Sequence, residues 1–126
     1  TNNLTNCDFY LFTAAHDCRH TQIPYEEQFE SFYNIFCSLF SACYQHKLDA
    51  LLMSALGLGV YKCDVDAYIA ALVKFYEDYN YENVGTRTII IKIAYFIAGN
   101  KRPDEIKAVD NFNKMVHRFG GEKIFQ

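Results

Sequence analysis

Apolar residues in this chain fall into two patterns: stripes at three- and four-residue steps, and short unbroken runs. The first stripe, over residues 25–46, is Phe29, Phe32, Phe36, Leu39, Phe40 and Cys43. That spacing lays one apolar face along a helix. Pro24, immediately before it, fits a helix start. A second stripe, Val65, Ile69, Leu72, Val73 and Tyr76, predicts a helix over 65–79 with Asp64 as its N-cap. A third, Ile106, Val109, Phe112, Val116 and Phe119, is stopped by Gly120-Gly121. The unbroken runs are residues 8–14 (DFYLFTA), 48–55 (LDALLMSA) and 88–97 (TIIIKIAYFI). The last, β-branched and aromatic, is the clearest strand. Residues 15–24, 56–63, 80–86 and 99–103 read as connections.

The expected order is therefore β-α-β-α-β-α, one α/β domain over residues 1–126. Strands alternating with helices imply parallel pairing through right-handed crossovers. Near-continuous apolar runs imply strands covered on both faces. Three strands make a small sheet, so further strands are expected from an N-terminal half or a second chain.

Composition narrows the class. With 51% hydrophobic and 17% aromatic residues, the chain is too apolar for disorder. The net charge of -3 is scattered and no Lys/Arg stripe occurs, which argues against a nucleic-acid partner. No apolar run approaches the roughly 18–20 residues of a membrane helix, and residues 1–6 lack a signal-peptide core. The cysteines number five, an odd count, with no CxxC pair. Free thiols in a reducing, cytoplasmic setting are the simplest reading. No cofactor is called for.

Candidate chemistry centres on the turn Ser54-Ala55-Leu56-Gly57-Leu58-Gly59-Val60-Tyr61. It follows the carboxyl end of an apolar strand, where open α/β sheets bind ligands. Two glycines one residue apart permit positive φ and close approach of a ligand to the main chain. Successive N–H groups can then converge on phosphate oxygens. A tight turn that binds nothing has the same glycines.

Residues 48–76 (LDALLMSALGLGVYKCDVDAYIAALVKFY) resemble the phosphate-loop block of macrodomains. The Gly57-Leu58-Gly59-Val60-Tyr61 turn is most similar to the poly(ADP-ribose) glycohydrolase branch. Residues 8–14 and 88–96 resemble the flanking family strands, so the likeness covers about residues 8–97. It implies the C-terminal part of a three-layer α/β/α sheet that binds ADP-ribose. Ala55 would lie at the ligand, and Gly57, Leu58, Gly59 and Val60 would meet the diphosphate through their backbone. Tyr61 would pack beside the distal ribose, and Tyr95 or Phe96 near the adenine. The implied activity is hydrolysis of ADP-ribose from modified protein, in the cytosol (of a host, for a secreted effector). A non-catalytic reader and a protein-interaction module are the alternatives.

The chain departs from the family pattern at Lys62, where glycine is frequent, and at Asp64, close to the expected phosphate. The family's other ligand loop, with its paired glutamates, is missing. Glu26-Glu27 does not replace it, because two acids in a first helical turn complement the helix dipole. His16 and Asp17, in a polar loop expected beside the cleft, are the remaining candidates for ribose contact or acid–base work. His16, Cys18 and His20 alternate as metal ligands would, but structural zinc needs about four ligands, usually with paired spacings, so no metal site is assigned.

Overall fold

The structure, a computed structural model, describes residues 10–58, 62–82, 89–94 and 103–121. Their order is α1 (Tyr25–Gln45), β1 (Ala50–Ser54), α2 (Val65–Glu82), β2 (Ile90–Ala94) and α3 (Pro103–Phe119). The fold is mixed α/β, and β1 and β2 pair in parallel with Ala50 opposite Ile90 and Leu52 opposite Lys92.

The first stripe folds as its spacing predicts. Of the second, Val65 and Leu72 are buried while Ile69, Val73 and Tyr76 are only partly so, because the inward face of that helix runs through Ala67, Tyr68, Ala71 and Phe75. Phe32, Phe36, Leu39, Phe40 and Cys43 are buried along α1. On α2, Ala67 and Ala71 are fully buried, and such small side chains let the two helices approach closely. Tyr68 fills the space between them, edge-on to Phe32 at 5.1 Å and to Phe36 at 5.2 Å. Phe40 meets Phe75 at 4.4 Å further along. Edge-to-face aromatic pairs of this kind add about 0.5–1.5 kcal/mol each to the burial of their area. Helix α1 stops where Lys47 turns to φ 56°, and the Leu48 amide donates back to the Cys43 carbonyl at 2.8 Å. This is a left-handed helix terminus that satisfies a late carbonyl.

Three expectations are corrected. Residues 10–14, within the predicted first strand, have no regular secondary structure. Leu11 and Ala15 pack against the core, while Phe12 is 95% exposed. A strand requires a ladder partner, and among the described residues this segment has none. Second, among the described residues the sheet is covered on one face only. Leu51 and Met53 enter the core, but Leu52 is 68% and Ile90 55% exposed. The side chains of Ala50, Leu52, Ser54, Ile90, Lys92 and Ala94 share this open face. Both long helices contribute to the same core, so apolar runs that read as two-sided are buried on one side. Third, α3 buries Asn111 and Met115, while Ile106 and Phe119 from its predicted stripe are exposed. Its apolar face is thus rotated from the expected line, and Lys114 reaches Asp66 of α2 at 3.6 Å.

Among the described residues, no helix is long and apolar enough to cross a membrane.

Candidate functional site

The turn after β1 is built from its backbone outward. The ladder continues one residue past the strand, with the Ala55 amide donating to the Ala94 carbonyl at 3.2 Å. The Leu58 amide then donates to the Ala55 carbonyl at 3.2 Å. Gly57 sits at φ 78°, a left-handed conformation that glycine adopts without steric cost. Its carbonyl accepts from the Cys63 amide at 2.8 Å, which closes the base of an excursion through residues 58–62. The Leu58 side chain is buried and anchors one limb, while Lys62 on the other has φ 55°. Lys62 therefore holds a left-handed backbone conformation that glycine adopts more readily than a residue with a Cβ.

From this base the chain enters α2. Asp64 caps the helix as predicted, its carboxylate accepting from the Asp66 amide at 2.8 Å. The carboxylate is thus directed to helix N–H groups. The Asp64 amide is satisfied from α1: Gln28 Oε1 accepts from it at 2.7 Å, and Gln28 Nε2 donates to the Ile23 carbonyl at 2.8 Å. One buried side chain thereby ties three segments together, the 22–24 approach, α1 and the start of α2. The sequence signal for Gln28 was its place one turn before Phe32 on the buried stripe. Gln28→Ala would leave two backbone groups without their partner. The expected loss of stability is about 1–3 kcal/mol, measured by denaturant unfolding. A change within about 0.5 kcal/mol would show that water replaces the clamp at no cost.

His16 and Asp17 lie in the segment leading to α1. Asp17 accepts from the Arg19 guanidinium at 2.9 and 2.6 Å and from the Arg19 amide at 3.0 Å. These bonds, the side-chain ones foremost, hold the Asp17 carboxyl down to about 2. It is therefore ionised at neutral pH, which suits a fixed ion pair better than proton donation. Because the folded value lies below the ordinary 3.8, the pairing is favoured above about pH 4 and is lost as pH falls through 2. A carboxyl-detected NMR titration of Arg19→Gln should move the Asp17 midpoint up to the ordinary range; an unmoved midpoint would refute the assigned cause.

The His16 carbonyl accepts from the Cys63 thiol at 3.1 Å. His16 also borders an open depression of about 500 Å³ with Glu27, Glu30 and Asn34. A second depression, of about 550 Å³, is bordered by Cys18, Gln22, Tyr25, Gln28, Lys62 and Asp64. It brings the 15–24 segment against the end of the candidate loop. Among the described residues, no group of three or more His, Cys, Asp or Glu side chains is gathered as metal ligands. Ala55, Gly57 and Leu58 thus form the root of the turn, with His16 linked to it through Cys63. Gly59, Val60, Tyr61, Tyr95 and Phe96 lie outside the described residues.

Compared with protein-family models, curated proteins and solved structures, the chain gives no significant match to any of them.

Proposed function

We propose that this chain is an ADP-ribose-binding module of macrodomain type, whose turn between β1 and α2 holds the diphosphate. The observation that carries this reading is the loop base. A backbone hydrogen bond from Cys63 to Gly57 closes an excursion at the carboxyl end of a parallel strand, immediately before a capped helix. Ligands of α/β sheets bind at such places, where main-chain N–H groups and the helix N-terminus favour anions. The Leu58 amide is already donated to Ala55, so Leu58 acts as an anchor. Gly59 and Val60 would supply amides to the diphosphate, with Tyr61 beside the distal ribose and Tyr95 or Phe96 near the adenine. Lys62 borders the depression next to the loop and adds a positive charge for the phosphates.

In this reading the open face of Leu52 and Ile90 is where the rest of a three-layer α/β/α domain packs. An N-terminal segment or a second chain would supply it, since parallel sheets are ordinarily covered on both faces. Binding is the primary function. Hydrolysis of ADP-ribosylated protein would need an acid beyond Asp17, which Arg19 engages.

The test is calorimetric titration of the folded chain with ADP-ribose, AMP and ribose 5-phosphate. Micromolar binding with ADP-ribose preferred is expected, and Gly59→Glu should abolish it by placing a carboxylate where phosphate belongs. Absence of heat from a folded sample, or full binding by the variant, refutes the site. Incubation with an ADP-ribosylated protein then separates a hydrolase, which releases ADP-ribose, from a reader, which only retains it.

A further inference from the structure

Cys18 and Cys63 are 45 positions apart in sequence, yet their sulfurs lie 2.9 Å from one another. That is less than about 1 Å longer than the ~2.05 Å of a formed disulfide. Both are free thiols, and they differ in access. Cys18 is half-buried at the rim of the depression beside Lys62, while Cys63 is buried. Cys63 is also the residue whose amide closes the candidate loop and whose sulfur lies beneath Gly57.

We propose that Cys18 and Cys63 form a redox couple, in which an intramolecular disulfide clamps the segment before α1 onto the base of the β1–α2 loop. The co-reactant is a small-molecule disulfide of the glutathione type. The more accessible Cys18, as thiolate, attacks one sulfur of the oxidised reagent and expels a thiolate, leaving a mixed disulfide at Cys18. The Cys63 thiol then gives up its proton, its sulfur attacks the Cys18 sulfur, and the second reagent thiolate leaves. In total, two cysteine thiols and one small disulfide become one protein disulfide and two small thiols. Both cysteine protons end on the released thiols, so no further oxidant is needed.

Access sets the order of events. Burial, and after it the neighbouring Cys18 thiol, pushes the Cys63 thiol up to about 12. The second exchange is therefore the slow one, and it is aided because its target is already in contact. Neither step depends on what the loop binds. The consequence for the loop is mechanical. In the reduced form the 15–24 segment is held to Cys63 by thiol contacts and the His16 carbonyl. In the oxidised form it is held by a covalent bond that also closes a long chain loop, and long loops gain the most from such closure.

The experiment incubates the reduced, folded chain with glutathione disulfide, quenches with acid, and alkylates the remaining thiols after denaturation. Expected are an intact mass lower by two hydrogens before alkylation and a non-reduced peptide joining Cys18 to Cys63. Cys37 and Cys43 should remain alkylated. The Tm should rise by at least about 5 °C and return on reduction. Cys63→Ser should stop at the mixed disulfide on Cys18, and Cys18→Ser should leave Cys63 unmodified. Full alkylation of both residues, a mixed disulfide that persists in the unsubstituted chain, or Cys18 joined to another cysteine would overturn the pairing. A Cys18–Cys63 bond with an unchanged or lower Tm would overturn the clamp.

Discussion

Gly57→Ala is expected to destabilise the chain by about 2–5 kcal/mol, two effects acting together. At φ 78° any residue with a Cβ is strained, by roughly 1–2 kcal/mol. There is also no room. A Cβ at Gly57 would come within 3.1 Å of the Ala15 Cβ, the Cys63 Sγ and the Phe32 Cζ. Those three atoms belong to three different segments, so they cannot retreat together, and overpacking of this kind costs about 1–3 kcal/mol. Denaturant unfolding of the purified variant measures the sum, and a loss below about 1 kcal/mol would mean that the turn relaxes into open space. On the proposed reading of this turn as an ADP-ribose site, the variant should also lose ADP-ribose affinity more steeply than stability in the titration described above, because Gly57 forms the loop base.

Phe36→Ala is expected to be the most damaging single truncation, at about 3–5 kcal/mol. Phe36 is completely buried and lies edge-on to Tyr68 with an interplanar angle of 88°. Removing the ring leaves a cavity at the α1–α2 contact, where neither helix can move in without breaking the other aromatic pairs. The Tm should fall by roughly 10–20 °C. Phe12→Ala is the control. Its ring is almost fully in solvent, so its removal should change stability by no more than about 0.5 kcal/mol. If both variants lose similar stability, the burial assigned to α1 is wrong.

Phe12 and Phe36 show where sequence reading succeeds and where it stops. Phe36 belongs to a stripe with neighbours at three- and four-residue steps, and that periodicity alone places it on the buried side of a helix. Phe12 belongs to a run of seven residues with no period long enough to choose between core and surface. The turn at Gly57 was legible in part, because a glycine after an apolar strand marks a tight turn. That Gly57 is packed against three segments was not, since none of the three is near it in sequence except Cys63. Gln28 was hidden for a related reason. A glutamine on an apolar stripe looks like an interruption until the Asp64 amide and the Ile23 carbonyl are seen at its two ends.

By itself, then, the sequence determined what depends on neighbours along the chain. This covers the extent of α1, the start of α2 (whose end lies at Glu82, three residues past the predicted 79), the Asp64 cap, the left-handed stop at Gly120, and the β character of residues 90–94. Backbone propensity and the 3.6-residue period act over a few residues, and these features need nothing more. Tertiary structure alone decided which face of the sheet is covered, which side of α3 turns inward, and that Cys18 meets Cys63. Those outcomes depend on which segments meet across tens of residues, and the preference of a single position for burial does not specify its partner.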